Sequence, residues 1–169
     1  MVIEKAVISD AADLATLAVQ VWLDTYATEG IRQAFSDYIW TGLTPEKFAE
    51  KLTDADNEIY KLTESGHLTG FISICFNSVC PSDHDIRCEI DKLYIHENFT
   101  GRGAGAEMIR FLEGVCRVKN IPAVWLSVYE GNSRARGFYK KMDFREAGEF
   151  FFELGNERHR NMILIKKIY

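Results

Sequence analysis

Glu89-Ile90-Asp91-Lys92-Leu93-Tyr94-Ile95 runs on through His96-Glu97-Asn98-Phe99 into Thr100-Gly101-Arg102-Gly103-Ala104-Gly105-Ala106. The segment Arg87–Ile95 reads as a strand, and the periodic apolar positions Met108, Phe111, Leu112 and Val115 predict a helix from Gly103 to about Lys119. The glycines therefore fall between a strand and a helix. Glycine there lets backbone approach a ligand closely, and the first N–H groups of the helix have no partner within it. Such a helix start favours an anion such as a pyrophosphate, with the helix dipole adding ~0.3–1 kcal/mol. Arg102 adds charge at the same place or is simply solvated.

Two other phosphate-binding patterns compete for this turn. Gly101-x-Gly103-x-x-Ala106 fits a loose dinucleotide fingerprint, with Glu130 in the position of the ribose carboxylate. That fingerprint should follow its strand directly, yet five residues separate Ile95 from Gly101, and only 39 residues follow Glu130. A Walker loop fails because no Lys-Ser/Thr pair follows the glycines. A glycine turn with no ligand is the remaining plain alternative.

Outward from this stretch the chain reads as one domain, 1–169, of mixed α/β order. Ile3–Val7 predicts a first strand, with Ser9 or Asp10 to cap the helix after it. In that helix Leu14, Leu17, Ala18, Val21 and Trp22 form one apolar stripe. Ile31–Trp40 predicts a second helix, and Thr44-Pro45 starts a third, running to about Leu52. Strands are expected over Glu58–Thr63 and Leu68–Phe76, turning at Ser65-Gly66. Further on come a strand over Ala123–Tyr129, a helix over Asn132–Met142, and a closing hairpin around Gly155-Asn156.

Composition bounds the function. Hydrophobic residues make up 47% of the 169, enough for a packed core. The 25 acidic against 20 basic residues give a formal charge of -5, which disfavours a sequence-independent grip on nucleic acid. No apolar run reaches the ~18 residues of a membrane span, and the start lacks a signal-peptide pattern, so a cytoplasmic protein is expected. Cys75, Cys80, Cys88 and Cys116 form no CxxC pair and read as reduced, mostly buried thiols. His67, His84, His96 and His159 are scattered, so no metal site is expected.

The strand Glu89–Ile95 followed by Thr100-Gly101-Arg102-Gly103-Ala104-Gly105 resembles the acetyl-CoA-binding core of the GNAT N-acetyltransferase superfamily, whose pattern is Gln/Arg-x-x-Gly-x-Gly/Ala. Thr100 departs from the first position. A second block, Trp125-Leu126-Ser127-Val128-Tyr129-Glu130-Gly131-Asn132 through Phe138-Tyr139 to Asp143-Phe144, is similar to the family's strand, Asn, helix and final strand. There Asp143 stands for the usual Gly, and Asp tolerates the left-handed helix end better than most residues.

The resemblance implies a GNAT-type fold: a mixed, mostly antiparallel sheet, flanked by helices and splayed between the strands 87–95 and 123–129. It implies acetyl-CoA as cosubstrate, with pantetheine along Leu93, Tyr94 and Ile95 and pyrophosphate on Thr100, Gly101, Arg102, Gly103, Ala104, Gly105 and Ala106. Asn132 and Tyr139 are implied as further cofactor contacts. A homodimer, through the final hairpin, is a family-level expectation.

Acetyl transfer to a primary amine needs a base, because freeing an alkylamine of pKa ~10.4 at pH 7 costs ~4.6 kcal/mol. Glu89 stands 11 residues before Thr100, the spacing at which some relatives place a general base. Asp91 shares its strand face and competes, and a water chain is the third route. Both also read as plain strand carboxylates. Tyr139 matches the family's tyrosine acid, since a phenol of pKa ~10 can protonate a departing thiolate of pKa ~8.5. It also reads as a packed core aromatic beside Phe138. The N–H of Tyr94 or Ile95 is a candidate donor to the developing oxyanion.

Asp24, Tyr26, Glu29, Asp37, Tyr38 and Trp40 cluster in sequence and suit a cationic acceptor such as a polyamine. Trp22-Leu23-Asp24-Thr25-Tyr26 loosely resembles bacterial spermidine/spermine-type acetyltransferases. A protein N-terminus, a lysine, or a regulatory module that binds acetyl-CoA without turnover are the alternatives.

Overall fold

The apolar stripe read in the first helix is what the fold buries. In the computed structural model, which describes residues 1–155 and 157–169, Leu14 and Ala18 are fully buried and Leu17 and Trp22 nearly so. They lie on α1 (Ala11–Tyr26). The chain forms two compact units, Met1–Ser73 with Lys92–Met108, and Ile74–Asp91 with Ile109–Tyr169.

In the first unit, β1 (Val2–Lys5) pairs antiparallel with β2 (Asn57–Glu64). The first strand ends two residues short of its expected Val7. There the Val7 N–H leaves the ladder and donates to the Asp10 carboxylate at 2.8 Å, opening a 3-10 turn over Ile8–Asp10. Asp10 thus precedes α1 without capping it by its side chain. The second helix, α2 (Gln33–Gly42), starts later than expected. The third, α3 (Pro45–Thr53), has Pro45 in its first turn, and Thr44 accepts from the Lys47 N–H. Ser65 (φ 52°) and Gly66 (φ 80°) make the turn into β3 (His67–Cys75). Phe48 of α3 packs edge-on against Phe71 of β3, whose ring also meets Tyr94.

β4 (Glu89–Ile95) begins after its expected Arg87, because the Arg87 carbonyl accepts from the Ser78 N–H inside a loop. Gly70 of β3 allows close strand contact: a Cβ there would lie 2.5 Å from Ile95 Cδ1 and 3.0 Å from the Tyr94 carbonyl. At Gly103 α4 (Ala104–Val118) is entered.

The second unit is built on β5 (Ala123–Tyr129), α5 (Ser133–Lys141), β6 (Arg145–Leu154) and β7 (Glu157–Lys167). β5 pairs antiparallel with β7, and β6 with β7, forming the closing hairpin; its expected turn residue Asn156 lies outside the described residues. Its core includes Cys80, Trp125 and Ile163, and the Trp125 indole N–H donates to the Ser78 carbonyl at 2.9 Å. β4 enters this unit at Glu89, opposite Trp125 in a parallel pairing.

Among the described residues the sheet has seven strands in the order β1-β2-β3-β4-β5-β7-β6. The pairs β1–β2, β5–β7 and β6–β7 are antiparallel, and β4–β5 is parallel. This is the mixed, helix-flanked α/β class expected from the sequence.

Candidate active site

The first unit carries the glycine turn. Gly101 (φ 73°) and Gly103 (φ 87°) both take left-handed backbone, and a Cβ on either would meet nothing within 4 Å. Glycine is needed there for conformation and not for packing, and the space over the turn is open. Ala104 behind it is buried and anchors the helix start. A helix start leaves its first N–H groups without partners inside the helix, and beside an open turn such a start suits an anion.

The approach to the turn is tightly bonded. The His96 N–H continues the β3–β4 ladder by donating to the Thr69 carbonyl at 2.9 Å. A 3-10 segment follows over Glu97–Phe99, with His96 Nδ1 accepting the Asn98 N–H at 3.2 Å. The Thr100 N–H and hydroxyl both donate to the Glu97 carbonyl, at 3.1 and 2.8 Å. Thr100 therefore holds the turn by its side chain, where the family pattern has a longer polar residue. The Arg102 guanidinium carbon lies 5.3 Å from the Phe99 ring centroid. His96, read from sequence only as a scattered histidine, is a residue the sequence analysis missed; its signal was a cap-capable side chain two residues before Asn98, at a strand exit.

Also in this unit, Leu93, Tyr94 and Ile95 are half-buried on β4. The Tyr94 ring packs edge-on against Phe71, at 5.5 Å between centroids. The aromatics of the expected acceptor region are partly structural. Trp22 is buried under Tyr26, Phe35 and Tyr38, at centroid distances of 4.9, 5.2 and 5.0 Å. Asp37 accepts from the Gln33 amide at 2.7 Å. Asp24 and Glu29 are exposed, and Trp40 is 75% exposed.

The second unit carries the remaining candidates. Glu89 and Asp91 are half-buried on β4. Cys88, next to Glu89, is buried, and its hydrogen bond with the Cys116 thiol, together with burial, pushes it far above the usual thiol range. It stays a protonated core thiol. All four cysteines are free, and Cys80, Cys88 and Cys116 are buried. Asn132 caps α5: its side-chain oxygen accepts the Ala135 N–H at 3.0 Å. Tyr139 is 9% exposed and packs between Phe138 and Phe144, at 5.2 and 5.3 Å. Asp143 does adopt the left-handed conformation that the family's glycine would take (φ 64°). Among the described residues no group of three or more metal-ligating side chains comes together, and no helix is long and apolar enough to cross a membrane.

Residues 19–144 match the model of the acetyltransferase (GNAT) family. The chain belongs to this family. Its GNAT relatives include an uncharacterized N-acetyltransferase of Mycobacterium tuberculosis, 25% identical over 160 residues, spanning 95% of this chain and 99% of that protein. Another, from Lactobacillus delbrueckii subsp. lactis, is 21% identical over 160 residues, spanning 94% and 92%. The GNAT fold is matched by the crystal structure of PaiA N-acetyltransferase from Thermoplasma acidophilum in complex with coenzyme A, with a TM-score of 0.78, 22% identity, and 99% of each chain covered.

Proposed function

We propose that this GNAT chain transfers an acetyl group from acetyl-CoA to a primary amine, with a small cationic amine such as a polyamine as acceptor, and that residues 1–169 act as one catalytic domain. The observation that carries the reading is the turn 100–106. It has two left-handed glycines under open space at the start of a 15-residue helix whose first residue is buried. In a GNAT chain similar in fold to a coenzyme A complex, that turn suits a pyrophosphate. Thr100, Gly101, Arg102, Gly103, Ala104, Gly105 and Ala106 would hold it, with Leu93, Tyr94 and Ile95 lending backbone to pantetheine amides. Asn132 and Tyr139 would complete the cofactor contacts.

The acetyl thioester supplies an activated carbonyl. The protein's part is to handle two protons and one developing charge. Glu89 or Asp91, directly or through water, takes the proton of the acceptor amine. The N–H of Tyr94 or Ile95 faces the carbonyl oxygen as it gains charge. The Tyr139 hydroxyl returns a proton to the sulfur. The polyamine preference is supported by the exposed Asp24 and Glu29 and by the formal charge of -5.

Isothermal titration with acetyl-CoA, CoA and NAD, followed by thiol release over a panel of amines, tests this. Acetyl-CoA binding with release on spermidine is the expected result. Release on protein N-termini or lysines alone would move the acceptor class to proteins. Binding without release on any acceptor would make the chain a regulatory module, and NAD binding without acetyl-CoA binding would overturn the reading.

A further inference from the structure

We propose that His96 is a positioning residue for the phosphate-binding turn, fixing its shape through the 3-10 segment before it and tying it to α1 through Gln20; this rests on the acetyl-CoA reading above. His96 is engaged on every side. Its backbone N–H belongs to the β3–β4 ladder, and its carbonyl accepts the Phe99 N–H at 2.8 Å. Its Nδ1 accepts the Asn98 N–H at 3.2 Å. That bond requires a lone pair on Nδ1, so the neutral ring carries its proton on Nε2. The Gln20 amide nitrogen lies 3.3 Å from Nε2; with the ring proton on Nε2, the amide pairs with it when turned over so that its oxygen accepts. The ring edge meets Phe99 at 5.7 Å, and Phe99 in turn carries the Arg102 guanidinium.

One side chain thus sets three things. It caps the 3-10 segment whose Glu97 carbonyl holds Thr100. It supports the ring under Arg102, the cation nearest the turn's glycines in sequence. It also joins α1, at the exposed Gln20, to the strand exit. Gly101 and Gly103 have no side chains to define their own geometry, so the turn inherits its shape from the segment before it. Asparagine is also a good cap, and its shorter amide oxygen can still accept the Asn98 N–H while giving up Gln20 and Phe99.

The test is calorimetric titration of the whole chain with coenzyme A, which needs no acceptor, on wild type, His96→Ala, His96→Asn and Gln20→Ala, each checked for cooperative thermal unfolding. The expected result is a Kd about tenfold weaker for His96→Ala, recovery to within about threefold for His96→Asn, and a loss of about two- to threefold for Gln20→Ala. Wild-type affinity in His96→Ala overturns the proposal. An equal loss in His96→Asn and His96→Ala overturns it as well, since the cap would then not be what matters. If His96→Ala fails to fold, the Asn and Gln20 variants decide on the same thresholds. Wild type that binds no coenzyme A would instead overturn the acetyl-CoA reading itself.

Discussion

Tyr139 is where one side chain has to do two jobs. Its ring fills a buried position between Phe138 and Phe144, and its hydroxyl is the proposed proton donor. Phenylalanine keeps the ring and its packing, so it separates the jobs. Tyr139→Phe should leave coenzyme A affinity within about twofold and lower turnover by ~10²-fold or more. Unchanged turnover would reassign Tyr139 to packing alone. Asp10 offers a second single-residue test, on stability. Burial by itself would raise its carboxyl, but the Val7 N–H and the Lys61 ammonium at 2.9 Å outweigh that and hold it below the usual carboxylate range. Lys61 is raised in turn, first by its hydrogen bond with Asp10 and then by Glu4 against the opposing effect of burial. A depressed carboxyl contributes stability that is complete above the unfolded value of about 3.9 and is lost as pH falls through the folded value. The raised Lys61 contributes below its unfolded value of about 10.4 and loses it at higher pH. The thermal stability gap between wild type and Asp10→Asn should therefore shrink from pH 6 to pH 2. A gap independent of pH in that range would show that the pair does not act through this charge.

At the scale of elements, α5 is pinned at both ends. Asn132 satisfies the Ala135 N–H at its start, and the Lys166 ammonium donates to the Met142 carbonyl at 2.6 Å at its end. Lys166 is itself mostly buried and paired with Glu113 at 3.1 Å. A helix of nine residues is too short to be stable alone, so these anchors decide how firmly Tyr139 is held. Asn132→Ala should lower unfolding free energy by about 1 kcal/mol in denaturant titration, and Asn132→Asp should restore most of it. No loss in Asn132→Ala would mean the cap is dispensable and would leave cofactor contact as the reason for Asn132. The sequence already showed this helix and the Asn before it. It could not show that the oxygen of Asn132 is taken by the helix, because that depends on a backbone geometry (φ -81°, ψ 71°) that composition does not specify. The same limit moved the ends of β1 and β4. Periodicity continued through Val7 and Arg87, but the Val7 N–H and the Arg87 carbonyl found partners in loops.

For the whole molecule, what was legible followed from local rules, and what was not came from contacts distant in sequence. The stripe on α1, the left-handed Asp143 and the glycine turn could be read residue by residue, because burial period and positive φ are local properties. Tyr26 and Tyr38 read as acceptor aromatics, and both rings also pack on Trp22, with Phe35, 13 residues after Trp22, joining the same cluster from α2. The cap from His96 to Asn98 is local, but the partner of its other ring nitrogen, Gln20, is 76 positions away and outside any local rule. Charge is the one functional property that survives this difference, since it sums over the chain whatever the contacts. With a formal charge of -5 and exposed Asp24 and Glu29, attraction for an acceptor grows with the acceptor's own positive charge and is screened by salt. Spermidine carries more charge than a monoamine, so its KM should climb more steeply between about 50 and 300 mM salt, over which the Debye length falls from about 14 to about 6 Å. Steady-state kinetics on both acceptors across that range would measure the two slopes. Equal slopes would mean that the acceptor is recognised by shape and hydrogen bonding close to the reacting nitrogen, and the case for a polyamine would lose its electrostatic support.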